Sequence, residues 1–189
     1  QKKNACMLYA LKQSYDYIIF WDDDEYAKHI KLVEGQPEWS SSDVFGSHIN
    51  CNSDVTFGYW TGYVSPIPTS FFEKVSSFTR SCLTDSLIKI SDVVNEETFF
   101  NKDAIYYIPE NTISESQDID CIDGGKWISG GNLGLNLHSI INGKIPAFYT
   151  PKALRGEDSI YSVGLINSSV KEVPSGIFHD AFGHFLNES

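Results

Sequence analysis

Four consecutive acidic residues follow a short apolar run near the beginning of the chain. The run is Asp16-Tyr17-Ile18-Ile19-Phe20-Trp21, and the acidic residues that come next are Asp22, Asp23, Asp24 and Glu25. Adjacent carboxylates repel one another unless a cation compensates their charge. Asp22 and Asp24 could both face a divalent ion bound to a diphosphate, and their oxygen atoms favour Mg²⁺ or Mn²⁺. A solvated acidic turn, or Asp24 as a helix N-cap, is the alternative.

A glycine-rich segment, Trp127-Ile128-Ser129-Gly130-Gly131-Asn132-Leu133-Gly134, is the second candidate site. The sequence predicts a short strand over residues 126–129 that ends at the two glycines. Paired glycines after a strand permit a positive φ and allow a ligand to approach the backbone closely. An ordinary tight turn is the alternative.

An acid pair, Glu157-Asp158, is the third candidate site. It follows Gly156 and is predicted to open a helix that extends to about Gly164. A carboxylate in such a place can serve as a general base. A helix N-terminus also stabilises acidic residues without any catalysis, so the residues alone leave both interpretations open.

A late histidine, His179, is the fourth candidate and lies within Val173-Pro174-Ser175-Gly176-Ile177-Phe178-His179-Asp180. A neutral imidazole is a good ligand for Mn²⁺ beside two carboxylates. A core-facing histidine, or His184 as the ligand instead, are the alternatives.

The elements that must position these residues alternate between helices and strands. Ala5, Leu8 and Leu11 recur at helical spacing and predict a helix over residues 3–13. The apolar run over residues 16–21 is continuous rather than alternating, which predicts a central strand buried on both faces. No internal repeat or composition break divides the chain, so we expect one domain over residues 1–189. The other predicted elements are a strand at 44–49, one or two helices within 70–91, an irregular segment at 92–123 and a strand at 170–173.

The composition excludes several classes of function. The formal net charge of −11 argues against nucleic-acid binding, because an acidic chain repels phosphate backbones. The four cysteines are widely spaced, which argues against a zinc site or a disulfide scaffold and indicates reduced thiols. No apolar run approaches the ~20 residues of a membrane span, and no signal peptide is recognised. We therefore expect a cytoplasmic location and no transmembrane segment in the chain.

Taken in order, these segments resemble the motifs of GT-A-fold glycosyltransferases, especially the inverting group related to family 2. Residues 18–24 are similar to the strand and DxD motif of that family, and Lys3-Asn4-Ala5 is similar to its R-N-A-G-like segment. Lys3 stands where the family usually has Arg, and Cys6 stands where Gly is common. The resemblance implies an α/β fold with a Rossmann-like mixed sheet flanked by helices, which lacks the first, nucleotide-binding strands of the family.

The resemblance also implies an activity: metal-dependent, inverting transfer of a hexosyl or related sugar from a UDP- or GDP-sugar to an acceptor hydroxyl. The acceptor would be a carbohydrate or glycoconjugate, as in bacterial polysaccharide biosynthesis. Asp158, with Glu157 beside it, would be the catalytic base, and Mn²⁺ or Mg²⁺ would bind the donor diphosphate. By the same resemblance, the metal ligands are Asp22, Asp24 and His179, and the donor-binding residues are Lys3, Asn4, Asp23, Gly130 and Gly131.

Two other functions agree with parts of the sequence. A haloacid-dehalogenase-like phosphatase also has a nucleophilic Asp after an apolar strand, but Tyr26 stands where that family has Thr or Val. A non-catalytic carbohydrate- or cation-binding module would use the acids and aromatics and would need no base at Asp158. Within the middle of the chain, Trp60-Thr61-Gly62-Tyr63 is either an acceptor wall or buried aromatic packing, and packing is the favoured interpretation.

Overall fold

The computed structural model of the protein describes residues 2–63, 105–106, 108–109, 114–149 and 157–180, which form a mixed α/β fold. The helices are α1 (Lys2–Lys12), α2 (Val44–Ile49), α3 (Leu137–Ile141) and α4 (Glu157–Gly164). The strands are β1 (Tyr17–Phe20), β2 (Glu25–Tyr26), β3 (Lys28–Val33), β4 (Gln36–Ser41), β5 (Val55–Tyr63), β6 (Ile105–Tyr106), β7 (Ile108–Pro109), β8 (Gln117–Asp118), β9 (Leu133–Asn136) and β10 (Val170–His179).

The larger sheet is mixed, with the strand order β1-β9-β5-β10-β2. Strands β5 and β10 run parallel, and the other neighbours in this order are antiparallel. Short strands extend the sheet, because β6 pairs with β5 and β8 pairs with β10. A second sheet of three strands has the order β4-β3-β7.

The two faces of the larger sheet differ in polarity. Leu133 and Leu135 of β9 point into the apolar core and are both 0% exposed, and full burial of one leucine stabilises the fold by about 2 kcal/mol. Gly134, between them, faces the other side, where it meets His48 and Thr56. This alternation is the period of a β-strand. The buried cluster on the apolar face consists of Met7, Val55, Phe57, Leu133, Leu135, Ile145, Phe148, Tyr161, Leu165 and Val170.

The predicted helix near the beginning of the chain is confirmed as α1, and its buried face differs from the residues whose spacing predicts the helix. The structure buries Met7 and Ala10 and leaves Leu8 68% exposed. Residues 3, 7 and 10 share one face of a helix, so Lys3 is carried on the face that packs inward. The predicted helix at the acid pair is also confirmed, as α4, and β10 begins at Val170 as predicted but continues to His179.

Three predicted strands differ in the structure. The apolar run forms β1, but each residue of β1 is only half-buried. Among the described strands, β1 pairs with β9 and lies at one end of the strand order rather than centrally. Val44–Ile49 is helix α2, because the Asp43 carboxylate accepts a hydrogen bond from the Gly46 N–H and caps it. Residues 126–129 form no strand. They lie alongside α4, where the Lys126 N–H donates to the Ser162 carbonyl.

The predicted helices within 70–91 and most of the predicted irregular segment lie outside the described residues. Among the helices in the described part of the chain, none is long and apolar enough to cross a membrane.

Candidate functional site

The end of β10 places His179 beside the acidic segment. Strand β10 pairs with β2, so that His179 lies opposite Glu25, and the Asp180 N–H donates to the Asp24 carbonyl at 2.8 Å. The His179 Nε2 is 3.3 Å from the Asp24 Oδ2. Ordinary strand pairing therefore brings together two of the predicted metal ligands, which lie near opposite ends of the sequence.

The acidic segment itself is a tight turn that folds Glu25 inward. The Asp22 N–H donates to the Glu25 Oε2 at 2.9 Å, while Asp22 and Asp23 are exposed. Burial, with the neighbouring carboxylates of Asp22 and Asp24, raises the pKa of Glu25 to about 7, against the effects of the backbone hydrogen bond and of Lys3. A buried carboxyl beside like charges is the arrangement that destabilises the ionised form.

The acid pair at the beginning of α4 contacts Lys3 at the beginning of α1. The Lys3 Nζ is 3.1 Å from the Glu157 Oε1 and 3.7 Å from the Asp158 Oδ1. It also donates to the carbonyl of Gly130 at 3.4 Å. Acidic residues in the first turn of a helix are favoured by its dipole, and the buried face of α1 supplies the cation that compensates them.

Asp158 lies in a desolvated position. Its Oδ1 is buried and makes no hydrogen bond to any described residue. Burial raises the pKa of Asp158 in the first place, Lys3 lowers it, and the charges of Glu157 and Asp22 raise it. A carboxylate with a raised pKa and a side chain that is 39% exposed is suited to take a proton from a bound hydroxyl.

The paired glycines lie between the acid pair of α4 and the acidic segment after β1. A Cβ atom on Gly130 would overlap the Asp158 carboxylate, and a Cβ atom on Gly131 would overlap the Glu25 carboxylate. The space beside each glycine is therefore occupied by one of the protein's own carboxylates, and the predicted close approach of a ligand stays a prediction. The positive φ that paired glycines permit is found instead at the next residue, Asn132, whose φ is 50°.

A buried hydrogen-bond network lies behind the glycines. The Asn132 Nδ2 donates to the Ser175 carbonyl at 2.9 Å, which leaves its Oδ1 to accept from the His48 Nε2 at 2.8 Å. The His48 Nδ1 then accepts from the Thr56 hydroxyl at 2.7 Å, and the Tyr17 hydroxyl bonds to Thr56. The sequence pattern does not reveal this network, although an Asn directly after two glycines is a residue type that tolerates a left-handed conformation.

The predicted metal ligands can be compared with the donor atoms that lie together in the structure. Among the described residues, no group of three His, Cys, Asp or Glu side chains is arranged to hold a metal ion. Asp24 and His179 supply one carboxylate and one imidazole in contact. This pair fits a divalent ion that takes one or two protein ligands and completes its coordination with substrate phosphates and water. Asp22, the third predicted ligand, is exposed and does not belong to the Asp24–His179 pair.

The remaining predicted residues lie around this site or outside it. Both polar groups of the Asn4 amide bond to the backbone of Phe148, each at 2.8 Å, so Asn4 anchors α1 to the residues before α4. The Trp60 ring lies 6.3 Å from the His179 ring, which makes it the aromatic neighbour of the predicted metal ligands. His184 and the side chain of Tyr63 lie outside the described residues.

The connected set, called the acidic site below, consists of Lys3, Asp22, Asp24, Glu25, Gly130, Gly131, Glu157, Asp158 and His179. Comparisons with protein-family models, with curated proteins and with solved structures found no match. The fold and the site define a mixed α/β protein in which carboxylates from two segments, with His179 from a third, meet around a pair of glycines.

Proposed function

We propose that the protein is a metal-dependent, inverting glycosyltransferase that moves a sugar from a nucleotide-diphosphate sugar to an acceptor hydroxyl. The observation that carries the proposal is the position of Gly130 and Gly131 between two kinds of acidic group. Gly130 adjoins the Asp158 carboxylate, which has a raised pKa, and Gly131 adjoins the segment that holds the Asp24–His179 pair. A sugar transfer of this type needs both a base for the acceptor and a cation for the leaving diphosphate.

The roles follow from the position and charge of each side chain. Asp158, whose side chain is 39% exposed, takes the proton from the acceptor hydroxyl. Asp24 and His179, with Asp22 nearby in sequence, would hold Mn²⁺ or Mg²⁺, which when bound neutralises the charge of the departing diphosphate. Glu157, next to the base, binds acceptor hydroxyls.

The same proposal covers the setting of the reaction. The donor is a UDP- or GDP-sugar, the acceptor is a carbohydrate or glycoconjugate, and the product belongs to polysaccharide biosynthesis in the cytoplasm. Trp60, beside His179, offers an aromatic face on which a sugar ring can stack. These finer statements rest on the motif order in the sequence as well as on the acidic site.

Isothermal titration of the protein with Mn²⁺ and UDP, and then with Mn²⁺ and GDP, tests the donor site. The variant Asp24→Ala removes the carboxylate that contacts His179. The matched control is Asp16→Ala. Asp16 directly precedes β1, and its side chain is 86% exposed. We expect metal-dependent binding of one diphosphate in the wild type and in Asp16→Ala, and at least a tenfold weaker affinity (about 1.4 kcal/mol) in Asp24→Ala.

The outcomes separate the proposal from its alternatives. Absence of binding by both nucleotides in the presence of metal contradicts a sugar-nucleotide donor site. Binding without any sugar transfer to saccharide acceptors indicates a non-catalytic carbohydrate- or cation-binding module. Hydrolysis of a simple phosphoester with no sugar nucleotide present indicates the phosphatase instead.

A further inference from the structure

Lys3 is the basic residue of the acidic site, and its side chain is held in a fixed place. Only 19% of the side chain is exposed. Its ammonium group lies 5.2 Å from the centre of the Phe148 ring and 6.0 Å from the centre of the Phe20 ring. The Phe148 ring is itself fixed, because it stacks on Tyr161 at 4.0 Å. Two aromatic walls therefore shield the ammonium from water and strengthen its electrostatic interactions.

The contacts of Lys3 with the two acids are unequal. The 3.1 Å distance to the Glu157 Oε1 is a charge-assisted hydrogen bond, whereas the 3.7 Å distance to the Asp158 Oδ1 is too long for one. The third contact, 3.4 Å to the Gly130 carbonyl, ties the same ammonium to the glycine loop. Lys3 thus compensates the charge of Asp158 while the hydrogen bond goes to Glu157.

We propose that Lys3 is the positioning residue for the base, and that it binds Glu157 so that Asp158, whose side chain is 39% exposed, stays ionised to accept the proton of the sugar hydroxyl. This inference rests on the proposed function for its catalytic meaning, and it replaces the donor-binding role that the sequence predicts for Lys3. A lysine that bound the donor would have to leave the acid pair, which would remove the cation nearest to two adjacent carboxylates.

The charges around Asp158 determine what the loss of Lys3 does. Lys3 faces it from α1, Glu157 lies beside it on α4, and Asp22 faces it from the turn after β1. Without Lys3, two like charges remain next to a desolvated carboxyl, so Asp158 holds a proton at a pH where the wild type is ionised. The base is then ionised only at a higher pH than in the wild type, and the lost rate returns as the pH rises.

Steady-state kinetics across pH 5–9 test the effect on the reaction in the variants Lys3→Met and Lys3→Arg. Met keeps the apolar stem but has no charge, Arg restores the charge, and Lys12→Met at the exposed end of α1 is the control. For Lys3→Met we expect a kcat about 10–100-fold lower at pH 7, an acid limb moved to higher pH and a donor KM within about threefold of the wild type. Lys3→Arg restores most of the rate, and Lys12→Met leaves it unchanged.

An NMR titration of the Asp158 carboxyl carbon gives a readout that needs no activity. The signal is assigned by its absence in Asp158→Asn. We expect its titration midpoint to rise in Lys3→Met and to fall in Glu157→Gln, because Lys3 then has Asp158 as its carboxylate neighbour on α4. The Glu157→Gln variant decides the question if Lys3→Met does not fold.

Two results would overturn the inference. One is an Asp158 midpoint that does not move in any folded variant, and the other is a raised donor KM with unchanged kcat in Lys3→Met, which makes Lys3 a donor ligand. If the wild type transfers no sugar, the proposed function fails, and the NMR titration still decides whether Lys3 controls the ionisation of Asp158.

Discussion

The two sides of the Gly130-Gly131-Asn132 segment differ in charge and in hydrogen bonding. On the acidic side, burial raises the pKa of both Asp158 and Glu25, and the Asp158 Oδ1 has no hydrogen bond within the described residues. On the other side, Asn132 is 1% exposed and its amide bonds to both His48 and Ser175. The first side keeps charged groups incompletely compensated, and the second pairs neutral groups with one another.

This difference assigns separate tasks to the two sides. A fully bonded buried network is rigid, and here it holds Asn132 at a φ of 50° that fixes the direction of the chain after the glycines. Perturbed carboxyls next to that rigid support cost stability, and such groups cluster at functional sites. The neutral side therefore maintains the geometry, while the acidic side provides the groups that a substrate or cation can compensate.

Asp158→Asn tests the acidic side and has the largest expected effect. If Asp158 is the base, turnover falls about 10²–10⁴-fold, while the free energy of unfolding stays the same or rises, because a desolvated charge is removed. Initial rates of sugar transfer and thermal unfolding of the same samples measure the two quantities. Asp118→Asn, whose side chain is 78% exposed on β8, is the control and keeps full activity. Unchanged turnover in Asp158→Asn would exclude it as the base.

Asn132→Ala tests the neutral side and should show the opposite pattern, a loss of stability. The change leaves the buried Nε2 of His48 without its acceptor and places a residue with a Cβ atom, but no polar group, at a positive φ. We expect a loss of about 2–4 kcal/mol in the free energy of unfolding, measured by urea titration. The exposed Asn142→Ala should change it by less than about 0.5 kcal/mol. A loss in Asn132→Ala as small as that of the control would show that the network does not support the loop.

The sequence predicts the parts of this arrangement that depend on local pattern. Helix α4 with its acid pair and the beginning of β10 are confirmed, because a first-turn acid and an apolar run need no distant partner to be recognised. The apolar residues of Val44–Ile49 predict a strand, whereas the structure has a helix that is capped by a hydrogen bond from the Gly46 N–H to the Asp43 carboxylate.

The non-local parts could not be predicted from pattern. Strand β9, and not β1, lies between two other strands of the sheet. Its Gly134 has no side chain and leaves room for Thr56, His48 and Tyr17. Lys3 reaches the acid pair only because Met7 and Ala10 define the buried face of α1, and an uneven apolar pattern does not reveal that face. The ligand roles of Asp22, Asp24 and His179 stay predictions.

Glu25→Gln tests whether the acidic side makes the free energy of unfolding depend on pH, and it has the smallest expected effect. The folded protein raises the pKa of Glu25 from 4.5 to about 7, so folding favours the protonated form. The stability that this group contributes is fully present below pH 4.5 and is lost as the pH rises through about 7. Gln resembles the protonated acid and keeps an acceptor for the Asp22 N–H.

In buffer with EDTA, Glu25→Gln should therefore match the wild type at pH 4.5 and exceed its free energy of unfolding by about 1–2 kcal/mol at pH 8, a value reduced for partial exposure to solvent. Urea titrations at both pH values measure the difference. The exposed Glu38→Gln on β4 should show no such dependence. Added Mn²⁺ should reduce the advantage of Glu25→Gln at pH 8, because a cation bound beside Asp24 stabilises the ionised carboxyl. An advantage that is equal at both pH values would mean that the acidic side is as well compensated as the neutral side.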